Sequence, residues 1–168
     1  MPIPVQVTID CADPAALAQF WASALEYVVQ PPPDGFDSWP AALADWGVPE
    51  SEWNSANAVV DPGGVGPRVF FQRVPEARAG KNRLHLDLAV SDGPGILVER
   101  KRSQVLPTVQ RLVGLGATAL RQVEEMGSFW VVWATRRATN SASPEPRRVS
   151  ATGPLRRVTA HEAAPRRD

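Results

Sequence analysis

Apolar and polar residues alternate in the first segment of the chain and then change to a helical spacing. Residues 4–12, PVQVTIDCA, carry an apolar side chain at about every second position, which predicts a half-buried β-strand. Asp13 and Pro14 follow as an N-cap and a proline at the first helical position. The apolar residues that come next recur at helical spacing and predict an amphipathic helix: Leu17, Phe20, Trp21, Leu25 and Val28.

The remaining patterns predict further strands and one more long helix. Two short strands are expected around residues 58–60 and 68–73, on either side of the turn DPGGVGP. Another alternating strand, RLHLDLAVSD, precedes a helix over residues 96–115 that Pro107 should break or bend. The segments TALRQVEE and SFWVVW then predict two strands joined by a hairpin turn at Met126 and Gly127.

The order of these elements suggests an internal repeat. Gln6–Asp13 reads QVTIDCAD and His85–Asp92 reads HLDLAVSD, so that both segments are alternating strands that end in an aspartate before a helix. Two unrelated strand–aspartate–helix junctions would look the same over eight residues. Because further strands follow each helix in the same order, we interpret the chain as a duplicated βαβββ unit.

Three segments in this order resemble the vicinal oxygen chelate superfamily, in its glyoxalase-like branch: IDCADPAALAQFWASAL, VGPRVFFQRVP and KNRLHLDLAV. That superfamily includes the glyoxalase I, bleomycin resistance and extradiol dioxygenase proteins. The resemblance implies an α+β fold in which two βαβββ modules form curled mixed sheets around a cavity, commonly in a homodimer. The glyoxalase-like domain would span residues 1–133, with module one at about 3–75 and module two at about 82–133.

The end of the chain departs from the family pattern. After FWVVW the last strand of module two is missing, and residues 134–168 contain no Ile, Phe, Trp, Tyr or Met, which predicts a disordered basic tail. Permitted codons read one frame over from Trp133 can spell Gly-Asp-Pro-Glu-Gly-Asn-Glu-Phe-Cys-Val, which matches the expected strand. We interpret the tail as a frameshift product; the alternative is an authentic disordered extension. If the tail is a frameshift product, the sheet of module two has an exposed edge where its last strand is missing.

Composition and charge exclude several classes of partner. Residues 1–133 hold 10 Lys and Arg against 15 Asp and Glu, whereas residues 134–168 hold 8 Arg against 3 acids. The arginines of the tail stand among Pro, Ala, Thr and Ser without aromatic residues, so we expect no nucleic-acid partner. No apolar run is long enough for a membrane span. With one cysteine, Cys11, and no export signal, a cytoplasmic location is expected.

The candidate site residues lie on the two matching strands. Residues two apart share a strand face, which groups Gln6 with Asp10 and His85 with Asp87. This face either lines a cavity or is simply solvated, and the resemblance favours the cavity. The resemblance also places Phe71 or Gln72 where metal-dependent relatives have a ligand glutamate.

A metal site is not expected from these residues. One histidine and two glutamines without a carboxylate suit a hard divalent ion poorly, so no cofactor is predicted. If a metal binds, the resemblance makes Gln6 and His85 its ligands.

A tryptophan-rich segment interrupts module one. Trp39, Trp46 and Trp53 recur every seven residues in the tryptophan insert, residues 36–56, which Pro40, Gly47 and Pro49 interrupt. One interpretation is a loop pinned to the core by large aromatic side chains. The other is a lid in which Trp46 contacts a flat or apolar ligand.

Three functions remain open from the sequence. The first is a metal-independent, bleomycin resistance-like protein that binds a small organic ligand through Gln6, Asp10, Gln72, His85, Asp87 and Trp46. The second is a divergent metal-dependent lyase, isomerase or dioxygenase, with His85 as a ligand and Asp10 or Asp87 as a base. The third is a non-functional product with an incomplete fold.

Overall fold

The computed structural model describes residues 3–76, 85–93 and 95–135, and the backbone of residues 148–151. Strand β1, Gln6–Cys11, and helix α1, Pro14–Leu25, occur where the sequence predicts them. The Asp13 side chain accepts a hydrogen bond from the Ala16 amide at the start of α1, so the predicted N-cap is confirmed. The helix ends earlier than its apolar pattern suggests, because Glu26 adopts a left-handed conformation with φ 60°.

The first module forms a four-stranded mixed sheet. After α1 come β2, Val28–Val29, β3, Ala56–Val60, and β4, Arg68–Arg73. The strand order is β1-β4-β3-β2, with β1 parallel to β4 and the other pairs antiparallel. Val28 therefore belongs to a short edge strand that pairs with Val60, and its placement on the helical face was wrong.

The core of this module lies between α1 and one face of the sheet. Leu17 and Trp21 from the helix pack with Val59, Val69 and Phe71 from the strands, all of them buried. Ala18 on the same helical face is fully buried, which lets the helix approach the sheet closely. The alternation in the strands and the helical spacing in α1 meet in one apolar layer, and the opposite face of the sheet is left for polar residues.

The second module repeats this order. Helix α3, Val98–Gly114, is followed by β5, Thr118–Glu125, and β6, Ser128–Ala134, and the hairpin between them turns at Met126 and Gly127, both with positive φ. A fourth element, β7, Arg148–Ala151, pairs antiparallel with β6 and completes a sheet of order β5-β6-β7. The sheet matches β2-β3-β4 of the first module, as a duplicated βαβββ unit requires.

Strand β7 was not predicted. It belongs to the segment for which we expected disorder, and it pairs with β6 where the sequence left that edge without a partner. An unpaired edge is a template for any extended backbone, and backbone hydrogen bonds form regardless of side-chain type. These four residues are thus paired within the segment that the sequence predicts to be a disordered tail. Ala134, the first residue of the predicted tail, belongs to β6, and residues 136–147 and 152–168 of that tail lie outside the described residues.

The segment that opens module two departs from its prediction as a regular strand. Within residues 85–93 it is extended, with a single bridge at Asp87. Leu86 and Leu88 still pack against the core, so the alternation has its expected effect on burial. In module one, the matching strand β1 pairs with β4 over six residues, whereas β7 has only four.

Pro107 does not break α3, so of the two predicted effects, a break or a bend, the break was wrong. The helix runs without interruption from Val98 to Gly114. Pro107 is exposed, whereas Val105 and Val109 on either side are buried against β6. Tertiary packing of the apolar face holds the helix together across the proline.

The two modules pack through their helices and one tryptophan. Trp133 of β6 is fully buried and lies 6.1 Å, between ring centroids, from both Phe20 and Trp21 of α1. Arg111 of α3 donates hydrogen bonds to the carbonyl oxygens of Ser23 and Ala24, at 2.5 and 3.1 Å. These carbonyls belong to the last turn of α1, where a cation also interacts favourably with the helix dipole.

The tryptophan insert contains a short helix, α2, Trp39–Asp45, and a 3₁₀ turn, Glu50–Glu52. Ser38 caps α2 by accepting a hydrogen bond from the Ala41 amide. In the described part of the chain, no helix is long and apolar enough to cross a membrane.

Candidate functional site

One face of the first sheet carries the polar residues that the sequence singled out. On β1, Gln6, Thr8 and Asp10 are exposed, whereas Val7 and Ile9 pack against the core beneath α1. The backbone register pairs these polar positions with alternate residues of β4. We call the resulting surface the open face: Gln6, Thr8 and Asp10 on β1 with Arg68, Phe70 and Gln72 on β4.

The register resolves the two alternatives for β4. Phe71 pairs with Ile9 and is completely buried against α1, so it has no access to a ligand. Gln72 pairs with Asp10 and is exposed on the open face. The structure thus brings three predicted residues, Gln6, Asp10 and Gln72, onto one surface.

Arg68 is the most constrained residue of the open face. Its Nε donates a hydrogen bond to Oε1 of Gln30 at 2.6 Å, and its Nη1 donates to Oε1 of Gln6 at 2.5 Å. The guanidinium carbon also lies 4.9 Å from the centroid of the Phe70 ring, within cation–π range. Two amides and one ring therefore fix the position of a half-buried positive charge.

Gln30 connects this arginine to the tryptophan insert. Its side chain accepts from Arg68, and its backbone carbonyl accepts from Nε1 of Trp39 at 2.7 Å. Trp39 makes an edge contact with Trp46 at 6.3 Å between ring centroids, and Trp46 makes another with Phe36 at 5.9 Å. An aromatic cluster, Phe36, Trp39 and Trp46, thus adjoins the residue that positions Arg68, and Trp46 remains 52% exposed.

The other end of the insert is tied to α1 and to β4. Asn54 Oδ1 accepts from the Ala15 amide, and its Nδ2 donates to Oδ1 of Asp13, both at 2.9 Å. Arg73 of β4 pairs with Glu52 at 2.6 Å. These contacts favour the interpretation of the insert as a loop fixed to the rest of the module. The contacts that fix it are polar, whereas the aromatic residues of the insert pack on one another.

His85 and Asp87 lie on a different segment from the open face. Both are exposed on the segment 85–93, with Leu86 between them turned into the core. Their grouping on one side of an extended chain agrees with the alternation in the sequence. Their roles in binding or in holding a metal remain predictions. Among the residues that the structure describes, no group of three or more His, Cys, Asp and Glu side chains is arranged to hold a metal ion.

Two carboxylates of module one have a lowered pKa, and each accepts hydrogen bonds from backbone amides. Hydrogen bonds from the Asn54 side chain and then from the Ala16 amide lower the pKa of Asp13. Amides of the loop after β3, foremost that of Gly66, lower the pKa of Asp61. Burial, followed by the nearby Asp61 charge, raises the pKa of Tyr27. These shifts come from local structure and do not mark a general acid or base.

Arg68 and Gln30 were not among the predicted site residues. The alternation in β4 was a usable signal for Arg68, because it shares a face with Gln72, four residues further along the strand. The sequence held no such signal for Gln30, which lies between elements and reaches Arg68 across 38 residues of chain.

The comparisons with known proteins agree with this architecture. The family model described as "Glyoxalase-like domain" matches residues 6–145. No curated protein matches the sequence significantly.

Solved structures share the fold at low sequence identity. A glyoxalase/bleomycin resistance protein/dioxygenase family enzyme from Burkholderia phytofirmans PsJN superposes with a TM-score of 0.55 at 13% identity, over 89% of this chain and 97% of that one. The fosfomycin resistance protein FosX from Listeria monocytogenes gives 0.56 at 6% identity, over 92% and 95%. A mutant of the Listeria protein, solved with Mn(II) and 1S,2S-dihydroxypropylphosphonic acid, gives 0.52 at 9% identity, over 92% and 94%.

Proposed function

This chain belongs to the glyoxalase-like domain family, and from that premise we propose that it binds a small organic molecule on the open face without a metal. The observation that carries the proposal is the division of the first sheet into two faces. One face is a closed apolar layer under α1, and the other presents Gln6, Asp10 and Gln72 in register. Polar side chains that converge on a sheet face above a rigid core are typical of ligand sites.

The amide side chains support binding more than proton transfer. Gln6 and Gln72 each offer a donor and an acceptor but no titratable group. Asp10 lies beside Gln72 in the register, so a carboxylate, which accepts hydrogen bonds, and an amide stand together at one end of the face. Such groups orient a polar ligand by hydrogen bonds.

Ligand screening with a defined variant tests the proposal. A fragment library is screened by ¹H–¹⁵N NMR, and hits should shift amide resonances of β1 and β4. Gln72→Ala should weaken binding of the hits, whereas Gln110→Ala, at an exposed glutamine of α3, should not. Hits that shift only resonances outside the open face would refute the proposal.

Metal analysis separates this function from a second candidate. A metal-dependent enzyme is favoured by one observation, that a structurally similar Listeria protein was solved with Mn(II). In that case Gln6 and His85 would be the ligands and Asp10 or Asp87 the base. Stoichiometric metal in the purified protein, together with loss of ligand binding on chelation, would replace the first proposal with the second. The homodimer and the cytoplasmic location remain expectations, and light scattering after size exclusion tests the former.

A further inference from the structure

We propose that Arg68 is the anchor for an anionic group of the ligand, and that the ligand is a small organic anion with a flat apolar part. This inference rests on the proposed function, because it names the class of molecule that the open face takes. It assigns a role to a residue that neither the family match nor the structural neighbours single out.

Arg68 is held in place by two hydrogen bonds to neutral side chains. Its Nε donates to the amide oxygen of Gln30 and its Nη1 to that of Gln6, and both acceptors are neutral. A guanidinium has five N–H donors, so these two bonds orient the group without using its full capacity. Because the residue is half-buried and fixed on two sides, little side-chain entropy remains to be lost when an anion binds.

The charge of Arg68 is not neutralised by a carboxylate of the described residues. Three other arginines pair with carboxylates, Arg73 with Glu52, Arg100 with Asp92, and Arg102 with Glu124, whereas Arg111 donates to backbone carbonyls and Arg121 is exposed on β5. Within residues 3–76, 85–93 and 95–135, Arg68 has no ion pair. Asp10, the acid of the open face, stands four residues along β1 from Gln6, which is about 13 Å of strand. The positive charge of Arg68 is therefore available to an anion from solution.

An apolar aromatic surface lies beside the charge of Arg68. Phe70 lies under the guanidinium, and Gln30 bonds both Arg68 and Trp39. Through Trp39 the aromatic cluster continues to Trp46, whose ring is about half exposed. A molecule that placed its anionic group on Arg68 would have aromatic rings next to it on which a flat group can stack. A carboxylate, phosphonate or phosphate meets the planar fork of arginine equally well, so this shared chemistry defines the class.

A purely structural role for Arg68 predicts a different behaviour. If the residue served only to join Gln6 to Gln30, its removal would lower stability without changing the preference between charged and neutral ligands. Discrimination between two isosteric molecules is therefore the decisive readout.

The experiment compares benzoate with benzamide on the full chain. Titrations followed by ¹H–¹⁵N NMR report on the Arg68 Nε–H and on the indole N–H signals of Trp39 and Trp46. We expect benzoate to bind about tenfold more tightly than benzamide, to shift these signals, and to weaken as salt is added. Arg68→Met should abolish the preference for benzoate. Arg68→Lys, which retains the charge, should keep part of it. Arg121→Met, at an exposed arginine of β5, is the matched control.

The outcomes separate the inference from the proposed function. If benzamide binds the open face as tightly as benzoate, ligand binding stands and the anion anchor is overturned. If the preference for benzoate survives in Arg68→Met, the anchor is also overturned. If neither probe shifts the open face and the library gives no hits there, both proposals fall. Should Arg68→Met fail to fold, the Arg68→Lys titration and the salt dependence of the native chain decide the same question.

Discussion

Replacing Asp13 with alanine removes two hydrogen bonds that hold the start of α1, and its cost can be worked out from the structure. Asp13 Oδ1 accepts from the Ala16 amide at 3.1 Å and from Nδ2 of Asn54 at 2.9 Å. Loss of an N-cap costs about 1 kcal/mol, and loss of the second bond costs about 1 kcal/mol more because Asn54 is half-buried. We expect the free energy of unfolding to fall by about 2 kcal/mol, with a Tm lower by roughly 4–8 °C for a chain of this size.

A double-mutant cycle with Asn54→Ala tests the physical reason. Asn54 also accepts from the Ala15 amide, so Asn54→Ala removes two hydrogen bonds, the one shared with Asp13 among them, and should cost about 2 kcal/mol. If the two side chains act as a unit, the double variant should be less destabilised than the sum of the singles, by roughly 1 kcal/mol. Denaturation in urea measures all four proteins, with Asp34→Ala at an exposed turn as a control. Additive effects, or a change below about 0.5 kcal/mol for Asp13→Ala, would refute the reasoning.

The pH dependence of the same variant has a defined sign. Hydrogen bonding lowers the folded-state pKa of Asp13 below its ordinary 3.8. A lowered folded-state pKa means that the carboxylate contributes stability above the unfolded-state pKa and loses it as pH falls through the folded-state value. The difference between native chain and Asp13→Ala should therefore be constant from neutral pH to about 5 and shrink below about pH 4. A difference that grew on acidification would contradict the assignment.

Three further substitutions probe other contacts by denaturation. Gly66→Ala should destabilise by about 1–3 kcal/mol, because the added Cβ would stand 1.8 Å from the Tyr27 hydroxyl oxygen and the ring must shift, whereas Gly93→Ala meets no atom of the described residues within 4 Å and should be nearly neutral. Pro107→Ala should stabilise by roughly 1–3 kcal/mol, since alanine restores a helical N–H at an exposed position; an unchanged midpoint would mean that α3 is already relaxed around the proline. Arg111→Met should cost about 1–3 kcal/mol by releasing the last-turn carbonyls of α1, and a neutral result would show that apolar packing around Leu112 and Trp133 joins the modules without these hydrogen bonds.

The sequence by itself determined the elements whose cause is local. The junction of β1 and α1 is an example, because alternation, a capping aspartate and a proline at the first helical position all act within a few residues. The hairpin at Met126 and Gly127 is another, since its two positive φ angles follow from a two-residue turn. The arrangement of the two modules as curled sheets around a cavity was predicted from the family resemblance, because these local patterns carry no information about it.

Tertiary structure decided which polar residues meet. Arg68 reaches Gln30 across 38 residues and Gln6 across 62, so no local pattern links them. Strand register performs this selection, because it sets Gln6 beside Arg68 and turns Phe71 inward while Gln72 stays exposed. The predicted candidates Gln6, Asp10 and Gln72 share the open face for the same reason.

The failures of prediction have the same origin. Val28 continues the helical spacing of α1 but pairs with Val60, and residues 148–151 form a strand only because β6 offers an edge. The segment from His85 alternates like β1, yet its described residues, 85–93, make a single bridge. A side-chain pattern fixes which face of a segment is apolar. Whether that segment becomes a strand depends on backbone groups supplied by another part of the chain, and only the folded protein provides them.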